Sequence, residues 1–192
     1  MKRMLWLVTA LLFLGSGWFL VTNSRAATET APYTVVEAED DFEIRDYEAL
    51  HLAKVSMPGD SMNGGFMKLF RFIDGANERS EKIAMTTPVL VQRSAGGSSM
   101  SFVMPKASVA QGLPAPKGEV KLDQLAAVRV AAVRFSGRSN ESKEKEQLAR
   151  LRTWAQGKGW ELEGEPLLAY YDPPWTPGFL RRNEVLLRLK KK

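Results

Sequence analysis

The chain has 192 residues, 44% apolar and 26% charged, which suits one globular domain and excludes a disordered or fibrous chain. It has no cysteine, which excludes disulfides, thiolate metal sites, iron–sulfur clusters and a cysteine nucleophile, and its one histidine, His51, excludes a His-rich metal site. The net charge is +5, but Lys2, Arg3 and Arg25 lie before any acidic residue; from residue 27 onward 24 basic side chains face 22 acidic ones, so nucleic acid is not an expected partner.

The N-terminus reads as an export or anchoring signal. Lys2 and Arg3 precede an uncharged stretch from Met4 to Ser24, the arrangement that leaves basic residues in the cytoplasm while the apolar run enters a bilayer. Ser24-Arg25-Ala26 has the small-x-small form of a cleavage site, whereas the 18 apolar-rich residues from Met4 to Val21 are long enough to remain as a membrane anchor. Residues 1–26 are thus a signal peptide or a membrane anchor, and both place residues 27–192 outside the cytoplasm. The expected location is the periplasm or cell envelope, free or anchored to the inner membrane.

The body reads as two copies of one pattern. Tyr33 to Glu37 is rich in β-formers, Phe42 to Tyr47 alternates apolar and charged residues, and His51 to Met57 alternates again before the turn Pro58-Gly59-Asp60. Phe66, Leu69, Phe70 and Ile73 then fall at helical spacing, with the helix closing near Gly75. Strands follow at Pro88–Arg93 and Met100–Met104. A proline- and glycine-rich connection, residues 106–119, leads to strands at Val120–Leu125 and Val128–Phe135, a helix at about 142–155, and closing strands at Pro166–Tyr171 and Glu184–Leu189. Two β-α-β-β units, about 33–105 and 120–190, predict an α+β fold in which each sheet has a helix on one face.

Chemistry is sparse. No Gly-x-Ser-x-Gly elbow, phosphate loop or dinucleotide fingerprint is present. Paired carboxylates such as Glu39-Asp40-Asp41 fall in turns, so no catalytic residues are assigned and the chain does not read as an enzyme. More suggestive is the concentration of Met57, Met62, Met67, Met85, Met100, Met104, Phe66, Phe70 and Phe72 in the first half. Such residues build either an ordinary core or an adaptable surface for a flat apolar ligand. Lys68 and Arg71 flank the first helix's stripe, where a dianionic macrocycle lying on it would meet a cation at its rim.

At three places the chain resembles the SOUL/heme-binding protein family. Phe42-Glu43-Ile44-Arg45-Asp46-Tyr47 is similar to its opening strand. Lys82-Ile83-Ala84-Met85-Thr86-Thr87-Pro88-Val89 resembles its internal segment, and Tyr171-Asp172-Pro173-Pro174 with Arg181-Arg182-Asn183-Glu184-Val185 its closing signature. The resemblance covers roughly residues 32–190. It implies a pseudo-twofold pair of β-α-β-β units forming a distorted antiparallel barrel with two helices. It also implies non-covalent binding of heme or another tetrapyrrole in an apolar groove beside the first helix. Carried over by position, Phe66, Leu69 and Phe70 line that groove, Lys68 or Arg71 meets propionates, and Met85 and Tyr171 stand near its wall. The prolines set turns, while Asn183 and Glu184 fix the closing strand through backbone hydrogen bonds. Some relatives carry a histidine where this chain has Asp46, and His51, five residues on, falls on the opposite side of an unbroken strand. No defined axial ligand is therefore expected. The implied role is that of an exported or membrane-tethered carrier or buffer of heme. Alternatives are a binder of other planar hydrophobic compounds, or an enzyme acting on tetrapyrroles.

Overall fold

The computed structural model describes residues 28–94 and 96–190. The expected signal or anchor helix in residues 1–26 lies outside the described residues. The chain enters through β1 (Glu29–Thr30), β2 (Tyr33–Glu39), β3 (Phe42–Tyr47) and β4 (Leu50–Met57), and a 3-10 turn at Pro58–Asp60 leads into α1 (Met62–Ile73). Then follow β5 (Thr86–Thr87), β6 (Val89–Ser94), β7 (Gly97–Val103), α2 (Lys106–Ala110), β8 (Lys121–Leu125) and β9 (Val128–Phe135). The chain ends with α3 (Glu141–Gly157), β10 (Leu162–Tyr170), a 3-10 turn at Gly178–Leu180 and β11 (Asn183–Leu189).

Nine strands form one antiparallel sheet in the order β2-β3-β9-β11-β10-β6-β7-β4-β8, and β1 pairs in parallel with β5 beside it. The runs β4-α1-β6-β7 and β9-α3-β10-β11 meet at the β10–β6 pair. Each passes its preceding strand to the other: β3 pairs with β9, and β8 with β4.

Two expectations are corrected. The sheet does not close into a barrel, because its end strands β2 and β8 have no partner on their outer edges among the described residues. Both edges are ill suited to pairing. The β2–β3 register slips between Val35 and Glu37, which twists the edge away, and β8 is the mostly exposed polar segment Lys-Leu-Asp-Gln-Leu. The described residues also hold three α-helices rather than two, since α2 forms within the stretch read as a plain connection.

The alternation along each strand sorts side chains onto two faces. On one, Ala53, Val55, Met57, Ala131, Val133, Val185 and Leu187 pack against Leu69, Phe72 and Ile73 of α1 and Leu151 and Ala155 of α3. On the other, Leu52, Leu90, Val130, Ala132 and Leu186 form a second cluster to which no helix contributes.

Local residues set both ends of α1 and the start of α3. Ser61 Oγ accepts from Gly64 N at 3.2 Å to cap α1, and Gly75, at φ +110, ends it in a conformation that glycine adopts without strain. Asn140 accepts from Lys143 N at 2.9 Å to cap α3. Gly65 lets α1 approach the sheet, because a Cβ there would come within 2.8 Å of the buried Met57 thioether. Burial of Leu69, Phe72 and Ile73, each worth roughly 1.5–3 kcal/mol, fixes which face of α1 turns inward and therefore which side chains it offers to solvent.

Candidate functional site

With Leu69, Phe72 and Ile73 committed to the core, the outward side of α1 carries Met67, Phe70 and Arg71, and Phe66 sits half-buried at its border with the core. Met67 is 38% and Phe70 41% exposed, far more than a helix needs for folding. The Phe66 and Phe70 rings stack with centroids 6.1 Å apart and planes 13° from parallel, and Phe66 meets the edge of Phe102 on β7 at 5.3 Å. The result is an aromatic shelf, supported from below by the sheet and open above.

The two candidate cations differ in their partners. Lys68 lies about 160° round the helix axis from both phenylalanines, on the far flank, where its ammonium pairs with Glu119 at 2.6 Å. Arg71 follows Met67 by one turn, adjoins Phe70, is exposed, and has no carboxylate partner among the described residues. An anionic group on a molecule resting on the shelf would therefore meet Arg71. Leu69 is fully buried beneath the shelf rather than on it, and Met85 is half-buried against the same helix-side core. Met67, counted in the sequence only as one of a methionine cluster, joins the shelf.

Tyr171 sits elsewhere. It belongs to the cluster on the helix-free face, where its hydroxyl donates to Glu184 at 2.9 Å. Arg45 and Glu184, both 1% exposed, form a two-pronged pair there at 2.6 and 3.0 Å, and Arg182 adds a bond of 2.6 Å to the same carboxylate. The Arg45 guanidinium lies 4.2 Å from the Tyr33 ring centroid and that of Arg182 lies 4.0 Å from the Tyr171 centroid. Burial alone would raise the Glu184 carboxyl, but Arg45 and Arg182 outweigh it and hold the group below the ordinary carboxylate range. Burial, followed by the Glu184 charge, pushes the Tyr171 phenol well above its usual value. The closing signature thus works differently from expectation at one position. Asn183 does donate to backbone carbonyls, Phe135 O at 3.4 Å and Gly137 O at 2.9 Å, whereas Glu184 ties β11 to β3 through side chains.

Two concavities lie away from α1. One, about 310 Å3, crosses the helix-free face between Leu52, Leu90, Val130 and Leu186, with Lys54, Asp123 and Arg188 at its margin. The other, about 230 Å3, opens where β1, β4 and α2 meet and is lined by His51, Leu50, Met104 and Val109. No α1 residue lines it, so the single histidine and the aromatic shelf do not share a site. Asp46, in the position of a histidine in some relatives, is engaged with Arg129 through two bonds of 2.7 Å. Among the described residues no group of histidine and carboxylates is placed to hold a metal ion.

A family model described as SOUL heme-binding protein matches residues 28–188, which include every strand of the sheet except the last residue of β11. The chain belongs to the SOUL heme-binding protein family. Within that family's reach it is similar to heme-binding protein 1 of Sus scrofa, at 27% identity over 185 residues covering 88% of this chain and 97% of the pig protein. It is also similar to heme-binding protein 1 of Xenopus laevis, at 23% identity over 158 residues covering 75% of this chain and 81% of the frog protein. Among solved structures, the EcmrR–DNA complex superposes with a TM-score of 0.61 at 11% identity. That likeness spans 79% of this chain and 57% of EcmrR, and it concerns the fold alone.

Proposed function

We propose that this chain binds heme on the outer face of α1, with the macrocycle against Phe66, Met67 and Phe70 and a propionate on Arg71. Membership of the SOUL heme-binding family supports the ligand class. The single observation that carries the location is the exposed aromatic and thioether stripe beside an uncompensated arginine. The residues fit the group in part. Stacked rings suit a broad flat partner, and Arg71 suits a carboxylate that stays partly in water. They offer no histidine to the iron, since His51 lines a different concavity. Heme would bring its own redox and ligand chemistry when bound, while this chain supplies burial of the ring and an anchor for its acid.

The wider role follows from the N-terminal segment. We infer that residues 1–26 direct or tether the domain beyond the cytoplasm, where it carries or buffers heme. Support for this reading is the pattern of Lys2 and Arg3 before the apolar run from Met4 to Val21.

The test is a hemin titration of the full chain held in lipid nanodiscs, corrected against empty nanodiscs. A saturable shift of the Soret band at micromolar hemin, lost on reversing Arg71 to glutamate together with Phe70→Ala, is the expected result. No saturable shift, or a shift indifferent to those substitutions, contradicts the assignment. The missing nitrogen ligand favours a second reading, in which the same shelf takes planar apolar acids without regard to metal. Equal affinity for metal-free protoporphyrin and hemin would select it.

A further inference from the structure

The segment joining β10 to β11, residues 171–182, carries the two most exposed large apolar side chains among the described residues, Trp175 at 83% and Phe179 at 69%. This is no slack loop. Tyr171 N donates to Arg182 O and Arg182 N to Asp172 Oδ2, closing its base at 3.2 and 2.6 Å. Inside it Thr176 N donates to Pro173 O, Leu180 N to Pro177 O, and the Arg181 guanidinium to the carbonyls of Thr176 and Pro174. Gly137 N donates to Gly178 O at 2.9 Å and staples the tip to the turn after β9. The backbone is held so that two aromatic rings stand in water, which hydrophobic burial does not explain and a binding surface does.

Three cations lie at or beside this segment. Arg138 lies against Gly178, Lys143 bonds only the Ser136 carbonyl, and Arg181 bonds only carbonyls; none of the three has a carboxylate partner among the described residues. A protruding tryptophan and phenylalanine ringed by uncompensated cations fit the headgroup layer of an anionic bilayer, where an indole ring has both apolar and polar neighbours and cations meet phosphates.

The position of the N-terminal segment gives an independent reason for a membrane as the occupant. Glu29 and Thr30 pair with Thr86 and Thr87, and Val89, two residues later, lies opposite Tyr170 at the foot of this segment. Arg182 also donates to the Tyr33 hydroxyl at 3.2 Å, a side-chain bond between the incoming chain and the foot of this segment. Glu29 stands eight residues after Val21, the last residue of the apolar run. An extended chain of that length spans at most about 29 Å. If the run enters a bilayer, the sheet end nearest the bilayer is the one that carries Trp175 and Phe179.

We propose that residues 171–182 form a second membrane contact, with Trp175 and Phe179 entering the headgroup region of an anionic bilayer and Arg138, Lys143 and Arg181 meeting lipid phosphates. This contact orients the domain and is separate from the heme reading, since it uses no α1 residue.

Because the chain lacks cysteine, one introduced thiol reports one position. A spin label at Pro177→Cys in the full chain, reconstituted in phosphatidylcholine vesicles with and without phosphatidylglycerol, is compared with a label at Ser56→Cys at the far end of β4. Expected is an about fivefold lower accessibility to an aqueous nickel reagent at 177 than at 56 when phosphatidylglycerol is present. Trp175→Ser with Phe179→Ser, both exposed and free of packing roles, should abolish that protection, and Arg138→Glu should reduce it. Equal accessibility at both positions in both vesicles overturns the proposal. So does protection that survives the double substitution or needs no anionic lipid, which would mark a contact between protein chains. Failure of the chain to float with the vesicles also overturns it, and the hemin titration remains a separate measurement in every case.

Discussion

The helices α1 and α3 occupy matching places, each between the strand that opens a β-α-β-β run and the pair that closes it, yet their outer faces differ. The inner faces agree: Leu69 and Phe72 on one, Leu151 and Ala155 on the other, all essentially without solvent contact. Outward, α3 presents Lys145, Glu146, Arg150 and Arg152, the ordinary dress of a surface helix, while α1 presents Met67, Phe70 and Arg71. Even the buried side of α3 is partly polar, since Glu144 accepts from Arg93, Ser139 and Tyr170. A polar exterior evidently satisfies the fold at this position. The apolar exterior of α1 is therefore a property that folding does not require, and it is the ground for proposing that this helix bears the ligand.

That contrast can be broken at several depths. Removing the shared part should affect both helices alike: Leu69→Ala and Leu151→Ala should each cost about 3 kcal/mol, within the spread for buried leucines, read as equal drops in urea midpoint. A large inequality would mean the two positions are not equivalent. Next, charging the outer faces should separate the helices. Met67→Glu with Phe70→Glu should weaken hemin binding by about a hundredfold, the loss of one well-buried aromatic and thioether contact, with the urea midpoint nearly unchanged. Ala149→Glu with Thr153→Glu on α3 should leave hemin affinity within about twofold. Smaller still is the effect of charge. Arg71→Glu should cost about five- to tenfold in hemin affinity, whereas Lys68→Glu, already paired and on the far flank, should change it less than about twofold. The smallest effect belongs to His51→Ala, which should leave the Soret maximum and affinity of the hemin complex in place.

The sequence made much of the scaffold legible because two periods write it. The bounds of β3 coincide with its alternating pattern and those of β9 with the strand read at Val128–Phe135, and α1 follows from Phe66, Leu69, Phe70 and Ile73 at helical spacing. What it hid is non-local or short. Sheet closure depends on whether β2 and β8 find partners, which no local pattern encodes. The β1–β5 pairing involves only two residues on each side, too few to show a period. The helix α2 was obscured by the prolines and glycines that follow it.

On α1, the burial of Leu69 and the exposure of Phe70 follow from the 3.6-residue turn, which sets the two about 100° apart. Helical spacing leaves Lys68 and Arg71, three residues apart, as neighbours; what distinguishes them is the Glu119 partner of Lys68, 51 residues away, which no local pattern shows. Glu184 offered a usable signal that was missed. An acid opening the apolar run Val185-Leu186-Leu187 needs a buried cation, and Arg45 in β3 supplies it.

The most direct test of the shelf is methyl NMR of the full chain labelled at its eight methionines, titrated with hemin. Paramagnetic iron broadens nearby methyls, so the account predicts that the exposed Met67 signal is lost first. The buried Met57 and Met100 signals, beneath the helix, should follow at higher occupancy. Loss of the Met104 signal from the His51 concavity while Met67 stays sharp would contradict it and move the ligand to the histidine.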